Sequence, residues 1–362
     1  MANLVTTHFL NDILRQPEEL RRTIEHLWLG SEGKRSLDAA VATIRGARHV
    51  FLTGIGSSWH AALNAATFFY AGGQPVYLQD AAELLQYARF PAGSVVVTIS
   101  RSGRSIEIVQ LAEKVRSAGA TIVAITNVAD GPLAKLAQVP IVIPSTLDHA
   151  ISVVTYTTLA LAAGILGASV TGSFTEPMIG ALRGGIAAAG RAIPGWQQQI
   201  AESGWLMPSA TTYFLARGAS LGSAHEARLM WEEGAKSPAT AMGSASFRHG
   251  PQEMIAKGCR FGVWIDGAQR ENDLAMARDL RKLGAMVLLI GQELPEDAVD
   301  LVLQLPGIPF EWQFVIDIIP AQLAADRLAA LSGVDCDMFR WCSFVVEDDG
   351  GLLPNSSVPG KS

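Results

Sequence analysis

The chain has 362 residues, 49% of them hydrophobic and 17% charged, with a formal net charge of −6 at pH 7. That length supports two domains, each with its own core, and an acidic balance without a lysine–arginine cluster excludes a nucleic-acid footprint. The three cysteines, Cys259, Cys336 and Cys342, have neither metal-ligand spacing nor a disulfide framework and fit a reducing cytoplasm. The N-terminal stretch MANLVTTHFLNDILRQPEEL lacks the basic flank and long apolar run of a signal peptide.

In chain order, residues 8–30 read as helix, with Pro17 as a break or as the first turn of a new helix, and 37–45 as a second helix. His49 to Thr53 is a strand. It leads through Gly54-Ile55-Gly56-Ser57-Ser58 into an alanine-rich helix over 59–70. Residues 76–78, 95–99, 121–126 and 140–144 read as further strands, and 81–88, 106–118 and 132–137 as helices between them. This predicts a sheet of about five parallel strands with helices on both faces. Residues 150–175 carry no charge and are long enough to cross a bilayer. Their richness in Thr, Ser, Ala and Gly predicts instead a helix packed on all sides, with no membrane as partner.

The second half repeats the first. Phe51 to Gly56 is echoed by Phe214 to Ala219, and Val97 to Ser100 by Val263 to Asp266, each followed by a helix and an apolar strand (121–125 and 286–290). The expected fold class is α/β: two doubly wound (flavodoxin-like) parallel-sheet domains from an internal duplication. The expected parts are an N-terminal helical segment (1–35), a first domain (36–175), a helical linker (176–207), a second domain (208–333) and a C-terminal segment (334–362). The Gly/Pro/Ser-rich end from Asp348 reads as loosely held.

The first domain is organised around Ser100-Arg101-Ser102-Gly103-Arg104-Ser105, at the passage from a buried strand to an amphipathic helix. Free N–H groups and the positive end of the helix dipole make such a corner an anion site. The bland alternative is a serine that only caps the helix. The Gly56-Ser57-Ser58 corner repeats the device, and two such corners in neighbouring parallel strands converge on one crevice. In the second domain the equivalent corner is Asp266-Gly267-Ala268-Gln269-Arg270-Glu271, which repels phosphate, so one phosphate site per chain is expected.

The second domain offers different chemistry. Residues 220–234 read as a helix ended by Gly234, with Glu226 and Glu233 on nearly one stripe. Glu233 lies in the last turn, where the dipole raises a carboxylate pKa towards the range of a general base; the alternative is a surface carboxylate paired with Lys236 or Arg248. Glu232 reads as solvated. Arg248-His249-Gly250-Pro251 forms a turn before a helix over 252–257, where His249 can exchange protons with a ligand or be purely structural. His60 and His225 read as packing residues, and His149 could line the first-domain crevice.

These residues resemble the sugar-isomerase (SIS) domain proteins, in particular the isomerase half of glucosamine-6-phosphate synthase (glutamine–fructose-6-phosphate aminotransferase) and its deaminase and fructosamine-phosphate deglycase relatives. Residues 11–18 resemble the E-I-x-x-Q-P opening of that half. Gly54–Ala61 resembles its first corner, Ser100–Ser105 its S-x-S-G-x-[ST] loop, and Ile125-Thr126-Asn127 its strand end. The Glu226 helix with Arg248–Pro251 is similar to its active-site helix and K-H-G-P turn, and residues 334–347 to the segment that folds over the sugar. The resemblance implies a phosphate held by Ser57, Ser58, Ser100, Arg101, Ser102, Gly103 and Ser105, with Glu233 as proton shuttle and no cofactor or metal. It implies that His249 opens the sugar ring from the partner subunit of a homodimer, and that Arg340, Trp341 and Cys342 are lid contacts.

Departures from the family are equally specific. The chain starts shortly before the isomerase half, so no glutaminase domain is expected. The Schiff-base lysine falls on Cys342 and the active-site-helix lysine on Met230; Lys236 lies past the helix end and Lys361 in the tail. The expected activity is proton transfer between C1 and C2 of a phosphorylated keto or amino sugar with C–N cleavage, in the manner of the deaminases and deglycases. Plain aldose–ketose isomerisation and a non-catalytic sugar-phosphate sensor are the alternatives.

Overall fold

The computed structural model describes residues 6–207, 210–296 and 299–352. The end of the tail read as loosely held, residues 353–362 with Lys361, lies outside the described residues. Strands β1 (His49–Thr53), β2 (Tyr77–Leu78), β3 (Ser94–Ile99), β4 (Thr121–Thr126) and β5 (Val139–Val142) form one parallel sheet in the order β2-β1-β3-β4-β5. Val96 sits in register between Phe51 and Ile122, and β3 is buried along its whole length, as expected of a strand covered on both faces. Strands β6 (Thr212–Ala216), β7 (Ala239–Gly243), β8 (Arg260–Trp264), β9 (Met286–Gly291) and β10 (Leu301–Gln304) form the second parallel sheet, in the order β10-β9-β8-β6-β7. Counted from β7, this is the strand order of the first sheet, which is what a duplicated unit produces. The two strands that the sequence reading lacks, β7 and β10, are the edges of the second sheet. Ala239-Thr240-Ala241-Met242-Gly243 has little β-branched character, and an edge strand needs less of it.

The helices are α1 (His8–Trp28), α2 (Ser31–Arg45), α3 (Ser57–Ala71), α4 (Ala81–Tyr87), α5 (Ile106–Ser117), α6 (Pro132–Leu136) and α7 (Val154–Thr171). After them come α8 (Glu176–Glu202), α9 (Ser220–Glu233), α10 (Ser244–Phe247), α11 (Arg270–Lys282), α12 (Phe314–Asp317) and α13 (Ile319–Leu331). Contrary to expectation, α1 runs through Pro17 without a break. Pro17 has no N–H for the Ile13 carbonyl, and the Gln16 side chain supplies one instead at 3.1 Å. The 252–257 helix is also not formed: Pro251–Met254 is a single 3-10 turn.

The uncharged segment becomes α7, the one described helix long and apolar enough to cross a membrane, and 89% of its apolar stretch is buried inside the molecule. Its small residues allow close approach. A Cβ at Gly164 would lie 3.0 Å from both Phe314 and Trp312, and one at Gly167 3.0 Å from Phe69. Helices α3 and α9, which each follow the first strand of their sheet, pack on one another and join the two halves. Gly222 makes that approach possible: a Cβ there would collide with the His60 carbonyl oxygen and with Asn64 Oδ1, well inside contact distance of both.

Candidate active site

Both serine corners lie at the carboxyl ends of strands. Gly56 links β1 to α3 with φ +56°, and Gly103 turns the loop between β3 and α5 with φ +63°, values that glycine adopts without a Cβ clash. Within that loop the buried Ser100 Oγ accepts the Gly103 N–H at 3.1 Å, and Ser102 Oγ accepts the Arg104 N–H at 3.2 Å. Both hydroxyls therefore shape the loop as acceptors and keep their own protons for a ligand. Ser105 is the N-cap of α5 and makes no side-chain capping bond. Gly103 is buried within the loop and shapes it from behind.

A cavity of about 230 Å³ opens in front of these corners. Ser57 and Ser58 from α3, with Ser100, Arg101, Ser102 and Ser105 from the loop, line one part of it. Leu229 and Glu233 reach it from α9, and Phe339 and residues 342–346 of the C-terminal segment complete the wall. The serine corners of the first sheet and the carboxylate of the second half thus meet within one chain.

Glu233 has its pKa raised to about 7, first by burial and then by the charge of Glu226, against the opposing pull of Arg101 and Lys236. The direction is the one expected from the sequence, but the leading cause differs, because removal from water outweighs the helix end. Lys236 donates to the Glu233 backbone carbonyl, not to the carboxylate. Glu232 is partly solvated and pairs with Arg228 at 2.6 Å.

Two turns before Glu233, the fully buried Glu226 holds a pair that sequence reasoning missed. Its Oε1 accepts from Ser57 Oγ at 3.0 Å, and its Oε2 lies 2.6 Å from His60 Nδ1. Burial pushes the Glu226 carboxyl up and the His60 imidazole down, so both are driven towards their uncharged forms. The available sequence signal was spacing: His60 stands one turn beyond Ser57, and Glu226 seven residues before Glu233.

Arg101 ties the C-terminal segment to the loop. It donates to Ser152 Oγ at 3.0 Å and to the Phe344 carbonyl at 2.8 Å, and it lies over the Phe344 ring at 4.3 Å. The Ile106 N–H at the start of α5 bonds the Val346 carbonyl at 3.0 Å, and Gln110 bonds Asp349 at 2.6 Å. Arg101→Ala should loosen this strap while the sheet stays intact. Removing a charged hydrogen bond allows about tenfold faster opening, to be read as hydrogen exchange at residues 343–347; unchanged exchange there would show that Arg101 does not hold it.

Other expected site residues fall elsewhere. Arg340 and Trp341 are exposed and outside the cavity, so of the three expected lid contacts only Cys342 lines it. Their side chains sit in an irregular segment whose facing no periodicity could reveal. His249 lies exposed in the turn after α10, with its N–H bonded to the Ser246 carbonyl at 3.0 Å, and does not line the cavity of its own chain. His149 stacks on His8 with ring centroids 4.0 Å apart and does not line the cavity, although its neighbour Ala150 does. Met230 is buried in the core. In the second domain's corner, Asp266 Oδ1 accepts the N–H groups of Ala268 and Gln269 at 3.0 and 3.1 Å, occupying donors that a phosphate would need.

Residues 43–166 match the model of the SIS domain. Over 354 residues the chain is 27% identical to a glutamine–fructose-6-phosphate aminotransferase (isomerizing) of Aeropyrum pernix, an alignment covering 92% of this chain and 56% of that protein. The chain thus spans about half the length of the curated relatives it matches. Its fold is that of the C-terminal domain of glucosamine-fructose-6-phosphate aminotransferase from Francisella tularensis, with a TM-score of 0.80 at 21% identity over 93% of this chain and 99% of that one. It is equally similar to glucosamine-6-phosphate deaminase from Thermotoga maritima, with a TM-score of 0.79 at 20% identity over 94% and 99% of the two chains. The stretch that matches the SIS domain contains both serine corners, and the chain shares its fold with these two solved structures over more than nine-tenths of its length.

Proposed function

We propose that the protein is a phosphosugar enzyme that moves a proton between C1 and C2 of a phosphorylated keto or amino sugar, with loss of ammonia or an amine when nitrogen is attached. One observation carries this reading: Glu233, with a pKa near neutrality, shares a cavity with the Ser100–Ser105 anion corner. The loop hydroxyls and the N-terminus of α5 receive the phosphate, and the sugar chain extends towards α9. Glu233 as carboxylate takes the proton from the carbon beside the carbonyl and returns it to the neighbouring carbon through an enediol or enolamine. For an amino sugar the product is an imine at C2, to which water adds before ammonia leaves. The names of the relatives, an aminotransferase that isomerises and a deaminase, support both halves of this chemistry.

Ring opening is assigned to His249 of a second copy of the chain. Its exposure and its absence from its own cavity are the placement that a residue given to a neighbouring subunit would have. Neither Cys342 nor Met230 can form a Schiff base, so transfer of an amino group through an enzyme-bound imine is not part of the proposal.

The test is a panel of 6-phosphorylated ketoses, amino sugars and fructosamines, assayed separately for isomer, ammonia and amine. Nitrogen release from at least one member is expected. Turnover confined to nitrogen-free sugars would leave a plain isomerase, and binding without turnover of any member would leave a sensor.

A further inference from the structure

On sequence grounds Ser57 belongs with the phosphate-binding hydroxyls; its hydrogen bonding points elsewhere. We propose that Ser57 reads a hydrogen-bond donor on the sugar, a hydroxyl or a protonated amine, and that the buried Glu226–His60 pair sets it to do so. This rests on the sugar-phosphate reading above and adds to it which end of the ligand Ser57 meets.

The reason is a count of protons. The 2.6 Å contact between Glu226 Oε2 and His60 Nδ1 requires one proton between them. Whether that proton resides on oxygen or on nitrogen, Glu226 Oε1 is bare and can only accept. The Ser57 hydroxyl, 3.0 Å away, is therefore the donor to Oε1. A serine has a single hydroxyl proton, so the Ser57 hydroxyl presents only lone pairs to the cavity that the residue lines. A phosphate oxygen is itself an acceptor and gains nothing from it.

Ser100 and Ser102 have the opposite arrangement. Their oxygens accept backbone N–H groups at 3.1 and 3.2 Å, leaving their hydroxyl protons for an anion. The cavity thus has donating hydroxyls at the α5 loop and one accepting hydroxyl, that of Ser57, at the start of α3. Glu226 and His60 touch no ligand and act through Ser57 as positioning residues. Their burial, at 0% and 4% exposure, keeps water from competing for the shared proton.

The experiment is calorimetric titration with two probes, inorganic phosphate and glucosamine 6-phosphate, on the whole chain. Ser57→Ala should weaken glucosamine 6-phosphate about five- to tenfold, the worth of one ligand hydrogen bond, and leave inorganic phosphate unchanged. Glu226→Leu, which removes the acceptor behind Ser57, should produce the same selective loss. Glu226→Gln should restore binding, because its carbonyl still accepts from Ser57 while its amide donates to His60 Nδ1. A Ser57→Ala protein that loses both probes in parallel, or neither, would overturn the assignment even if the buried variants fail to fold. Wild-type protein that binds neither probe would overturn the sugar-phosphate reading itself, and this proposal with it.

Discussion

Glu233→Gln is expected to bind a sugar phosphate as the wild type does and to turn it over about a thousandfold more slowly, within the range that one positioned acid–base group contributes. Glutamine keeps the volume and the cavity wall, but it cannot accept a carbon-bound proton. The loss should therefore fall on kcat with KM little changed. In the wild type the rate needs the deprotonated carboxylate, whose pKa is raised to about 7. Activity should fall about tenfold per pH unit below that value and level off above it. The glutamine variant should lose this dependence. A variant with an unaltered low-pH limb would assign the titrating group to another residue, and one with full activity would remove Glu233 from the chemistry.

The second large effect concerns the joint between the halves. Gly222→Ala puts a methyl group against the His60 carbonyl oxygen and Asn64 Oδ1, closer than either can tolerate. Asn64 is fully buried and donates to the Tyr156 hydroxyl at 3.1 Å, and the α3 backbone cannot move without carrying Ser57 and His60 with it. Overpacking of this kind costs about 2–3 kcal/mol, to be measured as a lowered urea midpoint at unchanged slope. Sugar-phosphate binding should weaken at the same time, because α3 carries one of the two serine corners. The control is Gly180→Ala in α8, where a Cβ meets nothing within 4 Å; there the helix should gain about 0.5–1 kcal/mol. Equal effects at the two positions would contradict the packing argument.

Legibility in the sequence followed the strength of the local signal. Uncharged β-branched runs such as 95–99 and 121–126 read as buried parallel strands, and the glycine–serine corners after 49–53 and 95–99 marked two parts of the cavity wall. The echo between residues 51–56 and 214–219 was enough to anticipate two sheets of equal topology. Edge strands β7 and β10 were invisible because their residues are short-chained or few, and it is the neighbouring strand that makes them strands. At the site, Glu233 was legible as a carboxylate at a helix end. The Glu226–His60 pair was not, since its meaning lies in a contact between helices 166 residues apart in sequence, and no periodicity within either helix reports that. Pro17 failed as a break for a similar reason: whether a proline ends a helix depends on whether the carbonyl it leaves unserved finds another donor, and here Gln16 provides one.

The measurement that bears most directly on the central claim is a crystal structure of the Glu233→Gln variant with glucosamine 6-phosphate bound. The phosphate is expected on the hydroxyls of Ser100, Ser102 and Ser105 at the start of α5. C1 and C2 of the sugar should then lie about 3–3.5 Å from the amide that replaces the Glu233 carboxylate, the separation of a reactive pair. A phosphate seated anywhere else, or a sugar whose C1–C2 end points away from α9, would contradict it.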